Sequence, residues 1–369
     1  MPSAAPPSTP VTERRDALVE RLFNATLASF ELSCLYLGHR LGLYGALAER
    51  GPLTAGALAQ AAGINERYAR EWLEQQAAAA ILDVDDPSAA PGERRFSLPR
   101  GHDEVLLDED SLSYAAPFAR FHVACALPLG RLLTAFRSGE GLPYEEYGEE
   151  LHEAQGAFTR PLFRSLLGKE WLPAVPEIHA RLEADPPARV ADLACGHGHS
   201  SIAIARAYPK VRVDGIDLDE ASIGRAQEIL AESPDVQDRV TFAHRDGADP
   251  GLAGRYDLVT ILESLHDMSR PVDVLRAAKG MLADGGSVFV GDELVGDEFT
   301  APADELERFY YGVSVLHCLP VGMVGEDPAG TGTVMRAGTV RRYASEAGYS
   351  EVEVLSIESD LYRFYRLVP

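Results

Sequence analysis

Val190-Ala-Asp-Leu-Ala-Cys-Gly-His-Gly-His-Ser200 decides the fold. Its first half is a short apolar run bounded by Pro186-Pro187 and by the glycines, the pattern of a strand buried on both faces. Gly196 and Gly198 let the backbone come close to a ligand where that strand turns into the helix SSIAIARAY. Asp192 stands near the strand's end, where a carboxylate can meet a cationic or ammonium-bearing ligand. Ser201 occupies the place of the third glycine of a dinucleotide-binding fingerprint, which argues against that cofactor.

Strands and helices alternate from here to the C-terminus. VRVDGID, RVTFAHRD, YDLVTILES and GGSVFVGDEL read as strands, with helices EASIGRAQEILAES and PVDVLRAAKGMLA between them. A helical insertion at 303–318 and a Gly-rich loop follow, then the helix TVRRYASEAGY and a closing hairpin, EVEVLSIES with LYRFYRLV. This order predicts an α/β, Rossmann-like domain over 187–369, with a seven-stranded, mainly parallel sheet. Ligands of such sheets bind at the carboxyl ends of the strands near the switch point. Asp217 ends the second strand, where it can accept both hydroxyls of a ribose.

Towards the N-terminus the pattern turns helical. MPSAAPPSTPVTERR has no basic start followed by an apolar core, and residues 1–11 read as a disordered leader rather than a signal peptide. LFNATLASFELSCLYLGHRLGLYGAL is apolar on more than one face, so it must be buried against something, often a second subunit. Two short helices meeting at Gly63, with Thr54 and Asn65 as N-caps, precede an extended RRFSLP. Residues 12–100 therefore outline a mainly helical winged helix. Its would-be recognition helix holds Arg67 and Arg70 against Glu66, Glu71 and Glu74, too acidic to read a groove, which favours a homodimer scaffold over a DNA-binding regulator. Residues 101–186 form a helical connector and partial lid, and its aromatics Tyr144, Phe158 and Trp171 are candidates for the acceptor pocket.

With 369 residues, 46% hydrophobic and 25% charged, the chain suits about two domains. Lys and Arg total 34 against 57 Asp and Glu, a formal charge of −23, which disfavours nucleic acid and anionic membrane surfaces as partners. No stretch approaches the roughly 20 apolar residues of a membrane span. Cys34, Cys125, Cys195 and Cys318 lie far apart without a CxxC pair, as in a reduced, cytoplasmic protein.

These motifs together resemble the class I S-adenosylmethionine-dependent methyltransferases. The family's first motif falls on Asp192, Ala194, Gly196 and Gly198, with Ala194 in place of a glycine. The resemblance implies S-adenosylmethionine as cofactor, with Asp217 and Leu218 at its ribose, Asp246 and Gly247 at its adenine, and Glu263 with Ser264 at the pocket edge. Leu265-His-Asp-Met-Ser-Arg-Pro271 is similar to the L-H-D-W segment of small-molecule O-methyltransferases with winged-helix dimerisation domains, and Met268 departs from its Trp. By that resemblance His266 is the general base, Glu293 flanks it, and Asp292 competes with Glu293 by one residue of register. Segments 314–320 and 330–336 resemble a bacterial winged-helix methyltransferase subgroup. His317 in the first of these joins His266 and Glu293 as a candidate catalytic residue of the pocket, and Arg336 in the second can grip an acceptor carboxylate. The expected reaction is methyl transfer to a small aromatic or enolisable acceptor, at oxygen ahead of nitrogen or carbon, with no metal. The alternatives are metal-assisted C-methylation of an α-keto acid through His266 and His317, or a nicotinamide oxidoreductase. His197 and His199 are expected to face solvent or cofactor.

Overall fold

The structure, a computed structural model, describes residues 10–369, so the expected leader up to residue 9 lies outside the described residues. The chain divides into two compact units, one running to Val123 and the other spanning Ala124–Pro369. The stretch 101–186, expected as a separate connector, is therefore shared between the two.

In the first unit a 30-residue helix, Val11–Arg40, leaves Leu18, Leu22, Phe23 and Phe30 exposed along its length. The helices Ala55–Ala62 and Glu66–Ala78 start where their caps predict. Thr54 Oγ1 accepts from the Ala57 amide, and Asn65 Oδ1 accepts from that of Arg67. Gly63 ends the first of them in the left-handed region (φ +67°). The wing is a two-stranded pairing of β1 (Asp83–Val84) with β2 (Phe96–Ser97). On the second helix of the pair, Arg67 is held by Glu71, and Glu74 by Arg94 from the wing. Two of its acids therefore take up arginines, one of them its own. No described helix is long and apolar enough to cross a membrane.

The second unit is built on seven strands: β3 (Arg189–Leu193), β4 (Arg212–Asp217), β5 (Val240–His244), β6 (Tyr256–Leu262), β7 (Leu282–Glu293), β8 (Glu351–Val354) and β9 (Tyr362–Val368). Their order is β5-β4-β3-β6-β7-β9-β8, parallel through β7 and closed by the antiparallel β9 and β8. The apolar runs of β3 and β6 are buried because layers cover both faces. Val190 belongs to one core layer, while Ala191 and Leu193 belong to the other. From β3 the chain steps outward to β5 and then returns across β3 to β6, which puts the switch point between β3 and β6. The loops after these two strands open together on the carboxyl edge of the sheet, where a ligand crevice forms.

Candidate active site at the carboxyl edge of the sheet

The turn after β3 needs backbone angles that few residues take. Ala194, Gly196 and Gly198 all have positive φ (+54°, +51° and +77°), a conformation that costs a residue with a Cβ about 1–2 kcal/mol. A Cβ on Gly196 would meet nothing within 4 Å, so the turn presents bare backbone to open space there. A Cβ on Gly198 would run into the Phe242 ring from β5. The Gly196 amide donates to Asp217 Oδ2 (2.8 Å) and that of Asp219 to Asp217 Oδ1 (2.9 Å), so two backbone groups aim one carboxylate across the crevice.

His266 lies just past β6, between Leu265 and the helix Pro271–Met281, and is 3% exposed. Its Nδ1 is 2.9 Å from Asp292 Oδ1 and 2.9 Å from Glu293 Oε2, both at the end of β7. Its Nε2 is 3.2 Å from Asp267 Oδ1. Burial alone would discharge the imidazole, but Glu293, Asp292 and Asp267 outweigh it and raise its pKa well above the usual value. Burial also works against the Asp267 carboxylate, yet the imidazole beside it holds its pKa at about 2. Donor atoms of His266, Asp292 and Glu293 lie within 4.8 Å of one another, as do those of His266, Asp267 and Cys318. Both sets are the carboxylates and thiol around one ring. His317 belongs to neither set.

Two segments roof this edge. The helix of residues 305–313 passes into a π-helical turn, Ser314–Cys318, a distortion that recurs at functional sites. On it His317 is fully buried and neutral, its pKa lowered by burial to about 4, with its ring edge-on to Tyr147 (4.8 Å) and Tyr144 (5.9 Å). Tyr147 ties down the same turn by donating to the Leu316 carbonyl (2.7 Å). Tyr144 stacks on His152 (4.4 Å between ring centres) and donates to Gln155 Oε1 (2.6 Å). Burial and the nearby Asp217, Asp219 and Asp267 carboxylates keep that phenol protonated, its pKa raised well above the usual value. From 330–336, the Gly332 amide donates to the His266 carbonyl (3.2 Å) and holds that loop from outside.

Two family models match the chain, and they fall on different units. Residues 191–288 match a methyltransferase domain, and residues 30–107 match an Rv2258c-like winged HTH domain. The second unit has the fold of the class I methyltransferases. A 27-O-demethylrifamycin SV methyltransferase of Amycolatopsis mediterranei is 38% identical over 108 residues, 29% of this chain and 39% of that protein. A ubiquinone biosynthesis O-methyltransferase of Marinobacter nauticus is 38% identical over 103 residues, 28% of this chain and 42% of that one. The matches span about two fifths of the length of these curated relatives. The solved mitomycin 7-O-methyltransferase MmcR shares the fold, with a TM-score of 0.68 at 19% identity over 97% of this chain and 99% of that one.

Within the second unit several expected site residues have other tasks. Asp192 is 1% exposed, and its carboxylate accepts three hydroxyls: Ser200 Oγ (2.5 Å), Ser201 Oγ (2.6 Å) and Thr260 Oγ1 (2.7 Å). It cannot touch a ligand's ammonium; it fastens the glycine turn to the helix after it and to β6. Trp171 is a core residue, edge-on to Tyr362 and tilted on Phe364, with no face left for an acceptor. Arg336 is bound to Glu307 (2.7 Å), the Gly296 carbonyl and Tyr311 (3.2 Å), so its guanidinium is not free for an acceptor carboxylate. His197 is buried, with its ring against Gly156, rather than facing solvent. Burial lowers the pKa of His197 to about 4 and that of His199 to about 3. Register does not choose between Asp292 and Glu293, because both reach His266. Leu218 and Asp246 are exposed at the ends of β4 and β5, and Asp246 turns back to accept the Ala248 amide (2.8 Å). Gly247 lies beside them, near Leu193 and Val274, and Phe158 is partly buried on the helix Gly148–Leu162. Glu263 turns its carboxyl to the Tyr362 phenol.

Proposed function

We propose that this chain transfers a methyl group from S-adenosylmethionine to oxygen on a small aromatic or enolisable molecule, with His266 as general base. The observation that carries the reading is the imidazole at the switch point, with carboxylates on both ring nitrogens and a bare glycine turn one strand away. The residues suit the cofactor: Gly196 leaves its side of the turn open, and Asp217 is aimed by two amides with lone pairs left for ribose hydroxyls. The cofactor supplies an electrophilic methyl on a sulfonium centre. Asp292 and Glu293 hold Nδ1, and Nε2, which faces Asp267 at 3.2 Å, is the nitrogen that takes the acceptor's proton once the acceptor displaces that contact. Tyr144, Tyr147 and His317 exclude water from above, and holding the two reactants in line supplies much of the acceleration.

Oxygen is favoured because one relative is named an O-methyltransferase and another a methyltransferase of 27-O-demethylrifamycin SV. A second copy of the chain is the partner we assign to the exposed apolar residues of Val11–Arg40. The test is incubation with isotopically methyl-labelled S-adenosylmethionine and a panel of phenols and enolisable ketones, read by mass spectrometry. Label in an oxygen-linked methyl group is the expected product. Label on carbon or nitrogen alone, or none on any member, contradicts the reading.

A further inference from the structure

His266 Nε2 faces Asp267 Oδ1 at 3.2 Å. Nδ1 of the same ring donates to Asp292 Oδ1 (2.9 Å), so in the neutral imidazole Nε2 carries a lone pair. Asp267 Oδ1 is buried and receives no hydrogen bond from any described residue. Two lone pairs held face to face inside a protein call for a positive centre between them, a proton or a metal ion. Cys318 brings a third donor. It ends the π-helical turn, is 2% exposed, and its Sγ lies within 4.8 Å of the donor atoms of both His266 and Asp267. The spacing suits a metal. Two ligands about 2.0 Å from a tetrahedral zinc stand about 3.3 Å from each other, and Nε2 and Oδ1 are 3.2 Å apart. The groups behind the donors suit one too. Metal-bound histidines commonly donate their other ring nitrogen to a carboxylate, as Nδ1 does to Asp292. His317 Nδ1 lies 3.3 Å from Cys318 Sγ, where an N–H steadies a thiolate. The grouping of His266 with Asp292 and Glu293 would instead need Nδ1, which Asp292 already engages, and it offers no sulfur.

We propose that His266 Nε2, Asp267 and Cys318 form a site for a thiophilic divalent cation, zinc above others, bound on the acceptor's side of the imidazole. A thiolate with an imidazole selects zinc over magnesium and calcium, which take oxygen ligands. As the ion binds, the Cys318 thiol and the protonated imidazole each release a proton to solvent. Their freed lone pairs then join the Asp267 carboxylate on the metal, and nothing is oxidised. Three protein donors leave the fourth tetrahedral position for water. The methyl transfer proposed above uses no metal. A zinc ion on Nε2 takes the lone pair that would receive the acceptor's proton, so the cation inhibits. Only this consequence rests on His266 being the base.

The test needs no acceptor. Full-length protein, freed of metal with a chelator, is titrated with cobalt(II), whose thiolate complexes absorb in the near ultraviolet, and with zinc by calorimetry. About one cation binds per chain, with the thiolate-to-cobalt band and a zinc Kd at or below about 1 μM. Cys318→Ser removes the band and weakens zinc. Asp292→Asn keeps all three ligands but loses the carboxylate behind the ring, and weakens zinc by about 10–100-fold. No band in the wild type, or a band that survives in Cys318→Ser, overturns the proposal. If Cys318→Ser does not fold, an unchanged zinc affinity in Asp267→Asn overturns it instead. Calorimetry with S-adenosylhomocysteine on the metal-free wild type keeps the two readings apart: no cofactor binding removes the methyltransferase reading, while the cobalt band judges the cation site alone. In the labelled-methyl assay saturating zinc stops turnover and a chelator restores it; undiminished turnover overturns the inhibition.

Discussion

Replacing His266 with Ala lowers turnover of a phenolic acceptor by about 10²–10⁴-fold, the usual contribution of a positioned base, and leaves S-adenosylhomocysteine affinity unchanged. The split follows from position, since His266 sits beyond β6, whereas the glycine turn and Asp217 lie beyond β3 and β4. A pH profile sharpens the result. The base works only when neutral, and burial is outweighed by Glu293, Asp292 and Asp267, which raise its pKa. The wild-type kcat/KM with acceptor therefore rises with pH through a value above the ordinary His pKa of about 6.5. Stability moves the other way. A raised folded-state pKa contributes stability that is fully present below the unfolded value and is lost as pH rises through the folded one. In the wild type this contribution to thermal stability falls over the pH range in which the rate climbs, and it is absent from His266→Ala. Equal losses of rate and cofactor affinity in His266→Ala would instead mean that His266 only holds the loop together.

Gly198→Ala is the second large effect. The new Cβ must take a left-handed backbone, at about 1–2 kcal/mol, and must displace the Phe242 ring, an overpacking of about 1–3 kcal/mol. Together these destabilise the domain by about 2–5 kcal/mol and weaken cofactor binding, because the displaced turn carries the Gly196 amide that aims Asp217. Gly247→Ala is the control: its added Cβ would lie 3.9 Å from Leu193 and Val274, an ordinary contact. Denaturant unfolding of the two variants should differ by most of that energy. Equal midpoints would show that the turn yields without cost.

All seven strands were legible because apolar runs broken by turn residues carry period and length in the sequence itself. The glycine turn, Asp217 and His266 were legible for a related reason: in a doubly wound sheet the residues just past each strand share one edge. Side-chain direction was not legible. Asp192 reads as a ligand contact until its partners are known, and those sit 8, 9 and 68 residues away. One signal for them was present, since Thr260 is a hydroxyl in the middle of the apolar run YDLVTIL and lies opposite Asp192 in register. Trp171 shows the converse. An aromatic on a helical stretch can face a pocket or a core, and only the packing of Tyr362 and Phe364 decides which. The Glu263–Tyr362 contact joins residues 99 positions apart, from the end of β6 past β7 to β9, whose neighbour in the sheet no periodicity gives.

The central claim is that the edge between β3 and β6 binds S-adenosylmethionine, and calorimetric titration with S-adenosylhomocysteine tests it most directly. The account predicts about one site per chain with a Kd near or below about 1 μM. In Asp217→Ala that affinity falls by about 10²-fold, as expected on losing hydrogen bonds to a charged acceptor. No binding by the folded wild type, or equal binding by the Asp217 variant, would contradict it.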